Sequence, residues 1–559
     1  MRALLPLAAV AALVLVGVAR GASAAPPVAT VTASFPGLSG GDNTTVTVDP
    51  PDMGVAAGQG FVVQMVNLAM RIWSTSSATP TVVKTEQLSD LYGQPVNSLT
   101  DPRVEYDAAS ARWFASLTNI DTPAVLLAVS KTSDPTGAWS TFSFRAPGCA
   151  DQPRLGIADG IVVIGADMFS SCDPPGANLG GELWIVNKQQ VLAGAANPAI
   201  NTYGPNQDFS SFAPVQSLSS TATEYVVSVD NGSSNVVHLV TVDGIPPAAV
   251  SVRPVTDILI TPLQQPPNAQ QPPSSSGRND PLATNDDRIL DSVWENGRLW
   301  FSANTACIPP GDSFTRACGR IGEVSTAAKT LTWEADVGVA GAHVFFPAIR
   351  PDGVGNLAVV YGESSLTIDP ELVTVVRAPD GTLSAPVVIA TSAGPHLRFG
   401  GNDPRFGDYF AAGRDPTNPA VVWVAGEIGS TVGGGSSAWD TVVASVLVGG
   451  GGAAPPVVQP VITPPRLRAH AAKGRVGTTL KLTYTALDDG AGVRTTLAVR
   501  NPSSVGIYNA TTVKMTLKAG TLYSFPWRVR KAGRFTFCVR SILASGAKSA
   551  QSCAIATVG

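Results

Sequence analysis

Acids and arginines set close together at recurring points carry most of the chemistry in this 559-residue chain. Asp101 precedes Arg103, Asp151 precedes Arg154, Asp287 adjoins Arg288, and Arg405 precedes Asp408, with Arg350 near Asp352. A guanidinium grips a carboxylate through two parallel hydrogen bonds, so a ring of such arginines could hold an acidic ligand. The same residues can equally pair with one another and align neighbouring strands. Acid-rich turns offer hard oxygen ligands at Asn279-Asp280, at Asn285-Asp286-Asp287 with Asp291, and at Asn402-Asp403 with Asp408. Calcium takes such ligands, which makes Asp286, Asp291 and Asp403 candidates. None matches a D-x-D-x-D-G loop, and turn chemistry explains the same residues. Calcium is therefore a candidate cofactor, and none is required. His238, His343, His396 and His470 are isolated, without the H-E-x-x-H spacing of zinc hydrolases. There is no G-x-S-x-G and no P-loop.

These residues stand at the heads of strands. Asp101–Ser130 reads as a strand opened by Asp-Pro-Arg, a turn, a strand around Arg112-Trp113-Phe114, a second turn and a strand at Ala124–Val129. Versions of this unit return near Pro51, Asp151, Glu224, Asp287, Phe346 and Arg405. A turn rich in Asp, Gly, Asn or Pro between two apolar runs is a hairpin signal. Units of roughly 50–65 residues suit a four-stranded propeller blade with its loops. The sequence thus predicts an all-β chain: a β-propeller over 46–448, of seven blades or six. Trp439–Val448 is its last strand, placed beside the first unit. Gln264–Pro281 is low-complexity and is expected to be an exposed, flexible loop. Residues 449–465 form a Gly/Pro-rich linker. Residues 466–559 carry short alternating strands and predict an Ig-like β-sandwich.

The N-terminus places the chain outside the cell. Arg2, the apolar run Leu4–Val18 and Ala22-Ser23-Ala24 read as a signal peptide over 1–24, cut between Ala24 and Ala25. Residues 25–45 then form a Pro-, Ser- and Gly-rich N-terminal segment, loose at its start. No later stretch is long and apolar enough to span a bilayer, so no membrane span is expected. A net charge of −4 argues against a nucleic-acid partner, which needs a basic stripe. The six cysteines fall into three local couples, read as disulfides Cys149–Cys172, Cys307–Cys318 and Cys538–Cys553. Each would stabilise by ~2–4 kcal/mol.

Lys131-Thr132-Ser133-Asp134-Pro135-Thr136-Gly137-Ala138-Trp139 resembles the Asp-box of sialidase-type propellers, with Asp134 and Trp139 at that motif's spacing and the glycine displaced by one. Together with Asp101-Pro102-Arg103, Arg112-Trp113-Phe114 and Arg405-Phe406-Gly407-Asp408-Tyr409, it makes about 400 residues resemble exported bacterial sialidase-like propeller proteins. In that family the box is structural. The resemblance implies an arginine cluster for a carboxylate and a Tyr nucleophile backed by Glu. Glu105 with Tyr106, Tyr361 with Glu363, and Tyr409 with Asp408 supply the residue types. The family's Phe/Tyr-Arg-Ile-Pro signature is absent. The expectation is a secreted, non-catalytic protein that recognises an extracellular glycan or protein. Asp101, Arg103, Asp151, Arg154, Asp287, Arg288, Arg350, Arg405 and Asp408 are its candidate ligand contacts. A sialidase-like glycoside hydrolase is the alternative.

Overall fold

The computed structural model describes the chain apart from residues 1–26, 44–47, 78, 96–97, 173–175, 231–233, 275–276, 278–279, 397–403, 430–438, 449–465, 488–489, 501–506, 543–548 and 550–551. The expected signal segment with Ala24 and Ala25, the linker, and Asp403 lie outside the described residues. Among the described residues no helix is long and apolar enough to cross a membrane. The chain divides into two compact units between Ala453 and Ala454.

Unit one is a β-propeller. Among the described residues it holds seven four-stranded antiparallel blades, two of them joined by the two-residue strand Gln216–Ser217. The innermost strands are Gly54–Gly58, Leu99–Asp107, Cys149–Ile157, Ser210–Pro214, Ile289–Glu295, His343–Pro351 and Ala411–Arg414. Each neighbours the next, and the seventh neighbours the first, so they ring a central channel. The repeated apolar strands explain the closure. Ala124–Ser130 is buried along its whole length, as a strand packed on both faces must be. Its neighbours on either side of the blade supply that packing. Trp113, Ala115 and Leu117 join the core shared with blade one, while Phe114, Val125 and Leu127 join the core shared with blade three. Outer strands such as Thr81–Gln87 stay largely uncovered and carry charge, which guards an open edge.

Three features depart from the sequence reading. Past its start the N-terminal segment is a strand that the sequence reading did not place: Ala29–Ser39 pairs antiparallel with Trp439–Val448 and forms the outer strand of blade seven. Trp439–Val448 is thus a third strand, and the two ends of the propeller sequence meet in one sheet. Pro36 is tolerated because an edge strand has one unpaired side. Blade four begins at Ser210, upstream of the first strand read for it. Finally, among its described residues Gln264–Pro281 is not exposed throughout. Ala269, Gln271 and Leu282 are fully buried. The Gln271 side chain accepts from His396 N–H at 2.8 Å and donates to its carbonyl at 2.7 Å, copying a strand pairing. Ser364 Oγ donates to the Gln270 carbonyl at 2.8 Å. Low complexity hid a few apolar and amide anchors spaced along an extended backbone.

Disulfides join Cys149–Cys172 and Cys307–Cys318 in this unit, and Cys538–Cys553 in the next. Unit two packs a three-stranded sheet and a five-stranded sheet around Leu482, Trp527, Phe535 and Phe537. Cys538 and Cys553 face each other across adjacent strands.

Candidate functional site

The channel wall is shaped by bulges. Pairing of the innermost strand with the second slips between Thr100 and Arg103, Asp151 and Arg154, Ser210 and Ala213, Ile289 and Asp291, and Phe345 and Ala348. A bulge adds twist and re-aims side chains. Asp101, Gln152, Ser211 and Phe346 take positive φ at these points, which non-glycine residues rarely do. Side chains of neighbouring blades hold them there. Asp101 N–H donates to Asn67 Oδ1 at 2.9 Å, Gln152 N–H to Asp101 Oδ2 at 3.1 Å, and Phe346 N–H to Asn304 Oδ1 at 2.7 Å. Ser211 N–H donates to Asp167.

The sequence-predicted arginines and acids then meet in three groups. Arg288 contacts Asp151 at 2.9 Å, Asp167 at 3.3 Å and Asp286 at 2.7 Å. Arg350 holds Asp291 at 3.0 Å and Glu105 at 2.6 Å. Arg405 pairs with Asp408, whose other oxygen accepts from Asn285 at 2.8 Å. Asp52, missed from sequence, accepts the Asp408 N–H at 2.8 Å. Arg103 has its guanidinium over the Tyr409 ring, 3.4 Å from the centroid. Arg154 reaches Gln152 at 3.0 Å and Asp167 at 3.7 Å. Asp287 does not join any of these pairs. Its carboxyl leaves one buried oxygen without a partner.

Burial sets the electrostatics. It holds Asp52 well above the usual carboxylate range, reinforced by Asp408 and Asp101. It raises Asp101, again with Asp408 adding to the shift. It pushes Glu105 and Asp151 up to about 7 despite Arg350 and Arg288. It pulls Arg154 down to about 10. Tyr409, fully buried, is raised well above its ordinary value by the same cause.

A cavity of ≈ 240 Å³ lies beside Asp167, Asp286, Asp287 and Arg288, while little space remains around Arg103 and Glu105. Two cavities open on the channel beside Arg103 and Glu105, each of ≈ 20 Å³. A void of that size takes about one water molecule. Asp286 and Asp291, both named as calcium ligands, serve different arginines. Among the described residues no group of three or more His, Cys, Asp or Glu could hold a metal ion.

The opposite mouth, where the innermost strands end, is built differently. Gln216 pairs in parallel with Ile157 on one side and Val293 on the other. Its Nε2 donates to the Tyr106 carbonyl at 3.1 Å, so blades two to five converge there. Beside it lies a cavity of ≈ 130 Å³. Lys188 Nζ stands 2.7 Å from Asp107 and donates to the Ala158 carbonyl at 2.9 Å. Arg414 is tied to Glu295 at 2.8 Å. Sequence reading missed Gln216, Lys188 and Asp107, because none belongs to a repeating pattern.

No family model matches this chain, and no curated protein matches it. Similar solved structures include Drosophila semaphorin 2a, at 6% identity and TM-score 0.37, over 92% of this chain and 97% of that one. A mutant Trypanosoma rangeli sialidase displaying trans-sialidase activity is similar at 9% identity and TM-score 0.29, over 82% and 83%. The Bombyx mori GH32 β-fructofuranosidase is similar at 10% and 0.29, over 82% and 86%.

Proposed function

We propose that this is a secreted recognition protein that binds an extracellular glycan or protein through a face of its propeller and performs no chemistry on it. The observation that supports this reading is the state of the channel. Its arginines and acids are largely engaged with one another, and the voids beside Arg103 and Glu105 are water-sized. A sialidase-like hydrolase needs arginines free to grip a carboxylate and a Tyr–Glu pair open to substrate. Tyr409 lies fully buried under Arg103, and Glu105 is paired with Arg350. The three disulfides fit an oxidising compartment.

The test is a glycan array and a panel of fluorogenic glycosides, including sialosides, run on the purified chain lacking residues 1–24. The expected result is selective retention without turnover, unchanged by chelator. Turnover lost on Arg103→Ala would overturn the reading in favour of a hydrolase. Retention lost in chelator would assign calcium to the site.

A further inference from the structure

Charge is divided unevenly along this chain. Residues 466–559 carry fifteen Lys and Arg against two acids, Asp488 and Asp489, while the rest of the chain is acidic on balance. An imbalance of that kind within one chain marks a module for a partner of opposite charge.

The fold of unit two gathers part of this charge at one end of its two sheets. The turn at Arg475–Thr478 lies beside the turn that follows Arg528. Gly477 N–H donates to the Val529 carbonyl at 2.9 Å, and Val529 N–H donates to the Thr478 carbonyl at 3.0 Å. Arg475, Arg528, Arg530 and Lys531 therefore share this end, and all four are exposed. The five-stranded sheet adds two more. Lys473 and Arg534 both stand opposite Thr557, one on each side of its strand. Directly opposed residues share a sheet face, and two strand spacings put these two ~10 Å apart. Both are exposed. Among the described residues none of these six cations forms an ion pair.

The chemistry of the end narrows its partner. A lone anion beside an exposed cation gains at most ~1 kcal/mol. A polymer that repeats its charge adds such contacts along its length, because each later contact forms at high effective concentration. The aromatic side chains Trp527 and Phe535 are each 2% exposed, so they offer no platform for stacking nucleic-acid bases. Val476 and Ile555 are the large apolar side chains exposed near it, too few to seat this end in a bilayer. We propose that this end of unit two binds an acidic polysaccharide, whose repeated carboxylates or sulfates bridge the two turns and the sheet. The site belongs to unit two, so the proposal goes beyond the recognition reading of the propeller and holds or fails independently of it.

Surface plasmon resonance on the purified chain lacking residues 1–24 tests it, with immobilised polygalacturonate and dextran sulfate as probes and neutral dextran as the reference. Retention is expected on at least one acidic polymer and not on dextran, with affinity falling at least tenfold from about 50 to about 200 mM salt. Arg528→Ser, Arg530→Ser and Lys531→Ser together should weaken it at least tenfold. Arg468→Ser with Lys518→Ser, which removes exposed cations from the other end of the strands, should change it less than twofold. If the triple substitution loses the fold by circular dichroism, Lys473→Gln with Arg534→Gln takes its place, and a loss of at least threefold is expected. No retention on either acidic polymer overturns the proposal, as does an equal loss in the variants of both ends. Tighter retention on duplex DNA or on phosphatidylglycerol vesicles than on either polymer overturns the assignment to a polysaccharide.

Discussion

At one mouth of the channel Arg288 draws Asp151, Asp167 and Asp286 inward and Arg405 holds Asp408, whereas at the other Lys188 and Arg414 are tied back to Asp107 and Glu295 and leave a cavity. The same strands build both ends. The difference lies in the backbone. Five of the innermost strands bulge near their starts, at Thr100/Arg103, Asp151/Arg154, Ser210/Ala213, Ile289/Asp291 and Phe345/Ala348. Those bulges turn long side chains toward the axis, and arginine is long enough to bridge blades. At the far end those strands run out without such a slip. Blade four even interrupts its strand at Val215 before pairing again at Gln216. A propeller can thus line one mouth with paired charge, around a cavity of ≈ 240 Å³, and leave the other shaped by strand ends.

The sharpest way to break this contrast is to remove the cation that ties the channel together. Arg350 is 3% exposed and holds both Glu105 and Asp291. Arg350→Ala strands two buried carboxylates, a change that costs about 3–5 kcal/mol when one partner of a buried pair is lost. The urea midpoint should fall accordingly. A loss below ~1 kcal/mol, the range of solvent-screened pairs, would mean that water already fills the channel around Arg350.

Much of the blade repeat was legible from sequence. Apolar strands with an aromatic and an Asp/Gly turn recur because each blade solves the same packing problem. The grouping of Asp and Arg at strand heads was also visible, since bulges sit at fixed points of the repeat. Closure by Ala29–Ser39 was not. Its partner lies some 400 residues away, as Thr32 to Ser445 shows at 2.7 Å, and no local pattern encodes that distance. The Gln271 anchor was hidden in a low-complexity run for the same reason. The pocket residues Gln216 and Lys188 carry no motif because their chemistry arises only when four blades meet.

A middle-sized effect separates backbone clasps from ion pairs. Asn304 is fully buried, accepts from Phe346 N–H at 2.7 Å and donates to the Thr284 carbonyl at 2.8 Å. It therefore joins blade five to blade six and to the segment leading to Arg288. Asn304→Ala leaves a buried N–H and a buried carbonyl unmet, worth about 1–3 kcal/mol. Hydrogen exchange should rise at Phe346 and Thr284 before the rest of the propeller. Uniform exchange across all blades would show that the clasp does not act locally.

The smallest effect concerns pH, and it sharpens the comparison by sign. Glu182 and Glu363 are buried carboxyls for which no arginine contributes to the shift, and burial pushes both up to about 7. Glu371 adds to the shift at Glu363. Glu105 and Asp151, which do have arginines, reach about the same value. A carboxyl whose folded pKa exceeds its unfolded one binds its proton more tightly in the fold. It therefore contributes stability that is full below the unfolded value near 4 and lost as pH rises through 7. His343 works the other way, since burial lowers it to about 4 and the fold loses stability as pH falls below 6.5. Between pH 6.5 and 8.5 the histidine is silent and the carboxyls titrate. The urea midpoint should drop across that window, and Glu182→Gln should flatten part of the drop without changing the value at pH 6.5 by much. If the slope is untouched by Glu182→Gln but vanishes in Glu105→Gln, the titration belongs to the channel alone, and the packed mouth would be the part of the molecule that senses pH.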